Sequence, residues 1–190
     1  ENDKFACKTY RKNHDHKLYE EDIYNIDPSK MESVDILTGG FPCQAFSIAG
    51  YRKGFDDERG ELFFEIMRFV DELPEKPKVL FLENVKNLKS HDDGKTFKTI
   101  EENIKKRGYS FISETINTSE VTNIPQNRER TYMICFKDEA NWNNLMKEKN
   151  NVEKYASYHF SKLFPPETVE EKIHVQDILD DEKMEDRYYY

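Results

Sequence analysis

The sequence predicts a mixed α/β fold in which strands alternate with helices. Two observations support this prediction. Short apolar runs of strand length recur along the chain, and the segments between them carry apolar residues at helical spacing. This alternation is typical of a sheet whose parallel strands are joined by helical crossovers. With 190 residues, the chain is long enough for one domain with a real core.

Four strands and two helices account for most of the periodic pattern. The strands are expected at residues 34–38, 79–82, 109–116 and 131–136, and the helices at 62–73 and 97–104. Pro74 ends the first helix because proline cannot continue one, and Gly108 ends the second because glycine readily closes a helix. The main elements therefore follow the order strand, helix, strand, helix, strand.

Charge and cysteine content narrow the possible functions. The chain has 29 basic and 38 acidic residues, a net charge of -9, so composition alone does not support nucleic-acid binding. Cys7, Cys43 and Cys135 are far apart and form no CxxC pair, which favours a reducing cytoplasm over disulfides or structural zinc. No apolar run approaches the ~20 residues of a membrane span. The His-Asp-His stretch at 14–16 is better interpreted as a solvated loop, so no metal site is predicted.

Two polar segments follow the first two predicted strands directly. The Gly-Gly-Phe-Pro-Cys turn at 39–43 comes after one strand, and Glu83-Asn84 comes after the next. Ligands bind beyond the carboxyl ends of strands in such sheets, so both segments are expected at one functional rim. Residues 39–60 hold five of the seven glycines and several apolar side chains, which favours a lid over a linker.

Taken singly, the candidate residues are weak signals. A cysteine is more often a small apolar residue than a nucleophile, although Cys43 follows a strand and a turn and could open a helix that favours a thiolate. Glu83 could be an acid of shifted pKa or simply a cap. The charged residues at 126–130 are, in isolation, an exposed turn.

Together and in order, three segments carry a specific resemblance. They are Gly-Phe-Pro-Cys-Gln-Ala-Phe-Ser at 40–47, Glu-Asn-Val at 83–85 and Gln-Asn-Arg-Glu-Arg at 126–130. In this order they resemble the DNA cytosine carbon-5 methyltransferases of bacterial restriction-modification systems, and the match extends from residue 1 to about 137. The resemblance implies a Rossmann-like, S-adenosylmethionine-dependent methyltransferase sheet with helices on both faces.

The resemblance also implies the catalytic residues. Cys43 would add to carbon 6 of a flipped-out cytosine, which converts the ring to an enamine able to attack a methyl group. Glu83 would hydrogen-bond and protonate ring N3, and Asn84 would orient that end of the site. Arg130 would bind the carbonyl oxygen of the base, and Arg128 would support the pocket near Cys43.

Two further sets of residues are implied for binding. S-adenosylmethionine would be the cofactor, and the residues that match its site are Glu1, Asp22, Ile23, Pro42 and Leu62. Duplex DNA would be the substrate, with Gln44, Ser47 and Arg59 near it. A cognate restriction endonuclease would act in the same system without being a stable subunit.

The resemblance also implies that the chain is truncated at both ends. Residues 1–140 would be the catalytic core without its glycine-rich cofactor loop, and residues 141–190 a linker towards a target-recognition domain. Asn2 stands where the family commonly has an aromatic residue. A fragment of this kind is expected to bind cofactor poorly and DNA hardly at all.

Three alternatives remain at this point. The chain could be a folded but inactive fragment, which a titration with S-adenosylmethionine would reveal. It could act on transfer RNA, because a related group of methyltransferases uses the same catalytic layout. The Gln-Ala-Phe-Ser sequence at 44–47 favours DNA. A cysteine hydrolase built on Cys43 is disfavoured, since none of the five histidines lies in a recognisable partner motif.

Overall fold

The computed structural model describes residues 1–42 and 61–137. Its strands are β1 (Ile36–Gly40), β2 (Val79–Val85), β3 (Ile112–Asn117) and β4 (Glu129–Phe136). Its helices are α1 (Lys4–Asn13), α2 (Glu61–Glu72), α3 (Lys95–Lys106) and α4 (Thr118–Val121). Short 3-10 turns occupy Ile23–Asn25, Pro28–Lys30, Lys86–Lys89 and His91–Gly94.

The four strands form one sheet in the order β1-β2-β4-β3. β1 and β2 are parallel, whereas β4 runs antiparallel to both of its neighbours. β3 therefore has the same direction as β1 and β2, with β4 inserted between it and β2. The expected parallel crossover is present from β1 to β2. The connection from β3 to β4 is too short for such a crossover, and β4 returns antiparallel.

The core lies between one face of this sheet and the two longer helices after β1. Helix α2 contributes Phe63, Met67 and Val70, and α3 contributes Ile100 and Ile104, all fully or almost fully buried. They pack against alternate strand residues, namely Leu80, Leu82, Met133 and Cys135. We call this side of the sheet the packed face and the opposite side the open face. Burial of alternate positions on one side is what period-two strands require.

The predicted elements are found close to their expected positions. Both helices are confirmed, and Gly108 follows α3 with a φ of 83°, the left-handed conformation that glycine adopts without strain. β1 continues through Gly40 and β2 through Val85, so the polar segments once expected after these strands belong partly to them. Pairing of Val85 with Arg130 extends β2, because the neighbouring strand is long enough to bond it. Tyr109 makes only an isolated bridge, to Lys137, before β3 begins.

None of the helices within residues 1–42 and 61–137 has the length and apolar character that crossing a membrane requires.

Candidate active site at the rim of the sheet

All four strands have one end at the same rim of the sheet. β1, β2 and β3 end there, and β4 begins there because it runs antiparallel to β2 and β3. Next to this rim is a cleft of about 430 Å³, lined by residues 85–87 and 126–130. The antiparallel direction of β4, which the sequence pattern did not predict, is what brings the Glu-Asn-Val and Gln-Asn-Arg-Glu-Arg segments together.

Glu83 and Arg130 form the central ion pair of the rim. Glu83 is aligned with Tyr132 across the strands, so Arg130, two residues earlier on β4, lies diagonally from Glu83 on the same face. The Arg130 Nε is 2.9 Å from the Glu83 Oε1, and an Arg128 Nη2 is 3.9 Å from the same oxygen. Both guanidinium groups therefore converge on one carboxylate.

The Glu83 carboxylate also lies beside the last residue of β1. Gly40 is aligned with Glu83, and a Cβ at Gly40 would be 3.5 Å from the Glu83 Oε2. Gly40 is three residues before Cys43 in the chain, so the strand end that leads to the proposed nucleophile lies next to the Glu83 carboxylate.

Asn84 points in the opposite direction from Glu83. Consecutive side chains of a strand lie on opposite faces, and Asn84 is on the packed face with only 2% of its surface exposed. Its Nδ2 donates to the Phe41 carbonyl oxygen over 2.7 Å, and its Oδ1 accepts from the Val85 N–H over 2.8 Å. Asn84 therefore ties the end of β2 to the turn that precedes Cys43, which is a positioning contact within the protein.

Asn117 is a site residue that the sequence analysis missed. Its Oδ1 accepts from the Arg128 N–H over 3.1 Å, and its Nδ2 donates to the Asn127 side chain over 2.7 Å. The Thr118 N–H in turn donates to the Arg128 carbonyl oxygen over 3.0 Å. The end of β3 thus fixes the backbone that carries both arginines. Asparagine after a strand and before a short helix is the only sequence signal, and it indicates a cap rather than a site.

A second ion pair flanks the rim. The Lys86 ammonium is 2.7 and 2.8 Å from the two Glu129 carboxylate oxygens. The pair is largely exposed, and exposed pairs contribute little to stability. Lys86 neutralises the Glu129 carboxylate. Arg130 donates to the backbone carbonyl oxygen of Glu129, and its ion pair is with the carboxylate of Glu83.

The residues expected at the cofactor site fall in two places. The Asn2 side chain donates to the Asp22 carboxylate over 3.4 Å, so the segment that starts at Glu1 lies against the Asp22-Ile23 pair. Asp22 also caps the 3-10 turn that starts at Ile23, by accepting from the Tyr24 N–H over 3.1 Å. Pro42 is exposed at the end of β1, and Leu62 packs against the core near the start of α2.

Four of the expected site residues lie outside the described part of the chain. They are Cys43, Gln44, Ser47 and Arg59, and most of the expected lid, residues 43–60, lies outside it as well. The other two cysteines fit the interpretation of small core residues: Cys7 lies in α1 and Cys135 in β4, both buried. Burial raises the pKa of the Cys135 thiol far above its ordinary value, so this sulfur is unsuited to act as a nucleophile.

Comparison with known proteins identifies the family. The profile of the family described as C-5 cytosine-specific DNA methylase matches residues 1–190. The chain is 42% identical over 192 residues to the Type II methyltransferase M.Bsp6I of Bacillus sp. (strain RFL6), which covers 100% of this chain and 55% of that protein. It is 47% identical over 143 residues to the Type II methyltransferase M.HhaI of Haemophilus parahaemolyticus, covering 75% of this chain and 42% of that protein.

A solved structure agrees on the fold. The S. pombe Dnmt2 methyltransferase superimposes with a TM-score of 0.66 at 20% identity, covering 97% of this chain and 53% of that one. This likeness supports the mixed α/β methyltransferase fold alone. The chain spans about half the length of the curated relatives that it matches. On the strength of the family profile and these relatives, the chain belongs to the C-5 cytosine-specific DNA methylase family.

Proposed function

We propose that the protein to which this chain belongs methylates carbon 5 of cytosine in duplex DNA. The observation that carries the proposal is the rim cluster, in which Arg130 and Arg128 converge on Glu83 beside the strand end that leads to Cys43. A reaction on one face and one edge of a pyrimidine requires an acid, cations and a turn that leads to the nucleophile, all on one rim. Membership of the family supplies the substrate class.

The chemistry explains why these groups are needed together. Carbon 5 of cytosine is a weak nucleophile, and addition of the Cys43 thiolate to carbon 6 pushes electron density through the ring to N3 and carbon 5. Glu83 stabilises this adduct by donating a proton to N3. After the methyl group is bonded to carbon 5, loss of the carbon-5 proton and elimination of Cys43 restore the aromatic ring. Acid-base assistance of this kind contributes roughly 10²–10⁴-fold in rate.

The two arginines hold the opposite edge of the base. The Arg130 Nε forms the ion pair with Glu83, and its Nη2 makes no hydrogen bond within residues 1–42 and 61–137, so it is available for the base carbonyl oxygen. Arg128 is about half exposed and lies further from Glu83. We assign Arg130 to the base and Arg128 to support of the pocket. Asn84 acts indirectly, as a positioning residue, by donating a hydrogen bond to the Phe41 carbonyl oxygen.

The donor set at the N-terminal segment suits a nucleoside cofactor. S-adenosylmethionine supplies the electrophilic methyl group when bound. Glu1 is an exposed and Asp22 a partly exposed carboxylate on neighbouring segments, suited to ribose hydroxyls and to an amino group of adenine. Ile23 and Leu62 offer partly exposed apolar surface, and Pro42 lies between this region and Cys43 in the chain. We propose these five residues as the cofactor-binding set.

Access to the ring requires that the cytosine leaves the DNA stack. Flipping a base costs a few kcal/mol, and the protein must supply contacts that offset it. Gln44, Ser47 and Arg59 are proposed to contact the DNA. We also propose a cytoplasmic location and a cognate restriction endonuclease that acts on the same sites without forming a stable complex. A core domain at 1–140 and a linker at 141–190 remain the proposed domain division.

Covalent trapping tests the proposed reaction. The full-length protein is incubated with S-adenosylmethionine and a DNA duplex carrying 5-fluorocytosine, whose fluorine blocks the loss of the carbon-5 substituent and leaves the adduct intact. We expect a denaturation-resistant protein–DNA adduct that maps to Cys43 and is absent from Cys43→Ser. A parallel reaction with transfer RNA separates the RNA alternative. A folded, cofactor-bound protein that forms no adduct on DNA contradicts the proposal.

A further inference from the structure

Arg68, on the outer side of α2, makes more polar contacts than an ordinary surface arginine. Its Nε and Nη2 lie 2.7 and 2.6 Å from the Glu65 Oε2, and its Nη1 lies 3.2 Å from the Glu72 Oε2. The hydrogen bond to Glu65 raises the pKa of the guanidinium, which stays charged at any physiological pH. These two contacts, with glutamates one turn before and after Arg68, are the helix pairs that the sequence alone would suggest.

The remaining contacts of Arg68 reach a distant part of the chain. Its Nη2 donates to the Ile23 carbonyl oxygen over 2.8 Å, and its Nη1 donates to the Ile26 carbonyl oxygen over 3.0 Å. Every nitrogen of the guanidinium is thus engaged, and two of them hold the carbonyl groups at the two ends of one short turn. The planar fork of arginine can reach two carbonyl groups at fixed spacing, whereas the single ammonium of lysine cannot.

That turn begins at Asp22, the proposed adenine-side residue of the cofactor site. Asp22 caps the turn through the Tyr24 N–H, and the Ile26 N–H donates to the Ile23 carbonyl oxygen over 3.3 Å. A turn of three residues has little stability of its own, because it closes few hydrogen bonds for the backbone freedom it loses. Its orientation therefore depends on contacts from outside, and Arg68 supplies two of them.

We propose that Arg68 is a positioning residue for the cofactor site, holding residues 22–26 in the conformation that receives the adenosine part of S-adenosylmethionine. The inference rests on the proposed function, which places Asp22 and Ile23 at that site. Arg68 acts through the turn and makes no contact with the reacting atoms. Its loss should weaken cofactor binding while the chemical step, once cofactor is saturating, stays unchanged.

Arg107 provides a matched control. It has a similar side-chain exposure, 22% against 25% for Arg68, and it also binds α2, through two contacts of 2.9 and 2.8 Å to the Asp71 Oδ2. It donates to the Asn103 carbonyl oxygen and makes no contact with residues 22–26. Removal of Arg107 therefore takes away a comparable ion pair from the same helix without touching the turn.

The test measures S-adenosylmethionine binding by calorimetry, without DNA, in full-length wild type, Arg68→Ala, Arg68→Lys, Arg107→Ala and Asp22→Ala. Arg68→Ala should raise Kd by about tenfold or more, since two charge-assisted hydrogen bonds to the turn are lost. The Kd of Arg68→Lys should lie between those of wild type and Arg68→Ala, and the Kd of Arg107→Ala should stay within about twofold of wild type. Hydrogen exchange at the Asn25 and Ile26 amides should quicken only in the Arg68 variants. In turnover, KM for cofactor should rise while kcat stays within about twofold.

The outcomes distinguish the two proposals. A folded Arg68→Ala protein with wild-type Kd, alongside a weakened Asp22→Ala, overturns the inference and leaves the proposed function standing. If Asp22→Ala also binds normally, or if wild type does not bind, the proposed cofactor site is wrong and the inference falls with it. Should Arg68→Ala fail to fold, Arg68→Lys carries the same test because its charge still neutralises Glu65 and Glu72.

Discussion

The two faces of the sheet divide the work of the site between neighbouring residues. On the open face, Glu83 and Arg130 lie partly exposed beside the stacked rings of Phe81 and Tyr132, which are 5.7 Å apart. On the packed face, Asn84 is buried with its side chain committed to the protein backbone. A strand end can therefore present one residue to a ligand and use the next to fix the turn that leads to the nucleophile.

The faces differ in how far their polar side chains are committed to the protein. Asn84 uses both ends of its amide on the protein and is almost fully buried, so it is not presented to a substrate. Arg130 and Arg128 keep donors that bind no described residue, and the Glu83 Oε2 lies beside Gly40, which has no side chain. We infer that substitutions on the open face should lower the rate of methyl transfer without changing the free energy of unfolding. Substitutions on the packed face should lower both.

The largest expected effect is on the open face, at Glu83. In the full-length protein, Glu83→Gln should lower kcat by about 10²–10⁴-fold, because the proton donor to N3 is lost. The free energy of unfolding should change by less than about 1 kcal/mol, since only a partly exposed ion pair is lost. Methyl transfer from labelled S-adenosylmethionine and thermal unfolding measure the two quantities.

Glu114 is the control for this variant. It is aligned with Tyr132 from the other side of β4, as Glu83 is, so both glutamates lie in one row of the open face. Glu114 is exposed, and no described residue forms an ion pair with it. Glu114→Gln should keep kcat within about twofold of wild type. Equal losses in both variants would mean that charge on this face, rather than an acid at one position, supports the reaction.

On the packed face, Asn84→Ala should reduce stability and activity together. The substitution leaves the buried Phe41 carbonyl oxygen and Val85 N–H without their partner, which costs about 1–3 kcal/mol of unfolding free energy. It also releases the turn two residues before Cys43, so we expect kcat to fall by about 10- to 100-fold at temperatures where the protein is folded.

Asn103→Ala separates the site from a general loss of hydrogen bonds. Asn103 in α3 donates to the Thr99 carbonyl oxygen over 2.8 Å, a bond of the same kind on a less buried helix surface. Its removal should change stability by about 0.5 kcal/mol or less and leave kcat unaltered. An Asn84→Ala protein with full activity would show that the turn needs no support from β2, and the division between the faces would be wrong.

The sequence predicted most of this fold because its periodicity is strong. The apolar positions of α2 and α3 and the runs of β1 and β2 were found within a few residues. The direction of β4 was not predicted, because apolar alternation has the same appearance in parallel and antiparallel strands. Only strand pairing distinguishes them, and pairing depends on contacts between residues far apart in the chain.

The site was predicted less evenly than the fold. Glu83 and Arg130 were identified through a resemblance, since neither residue type nor spacing alone separates an acid at a rim from an exposed turn. Asn117 and Arg68 were missed because their local sequence indicates a helix cap and a surface ion pair. Their partners lie about 10 and more than 40 residues away, and sequence periodicity contains no information on such contacts.

The smallest expected effect is on the reactivity of the two buried thiols, which reports how tightly α2 and α3 cover the packed face. In Cys43→Ser, the remaining thiols are Cys7 and Cys135, and the exposed fraction of each is 1% or less. Burial raises the pKa of both, with Glu20 adding to the rise at Cys7, so at pH 8 both stay protonated and unreactive. A disulfide reagent should label neither in the folded variant and both in denaturant. Rapid labelling of the folded variant at Cys135 would mean that α2 and α3 open from the sheet, and a face that opens so readily could not hold Asn84 against the turn before Cys43.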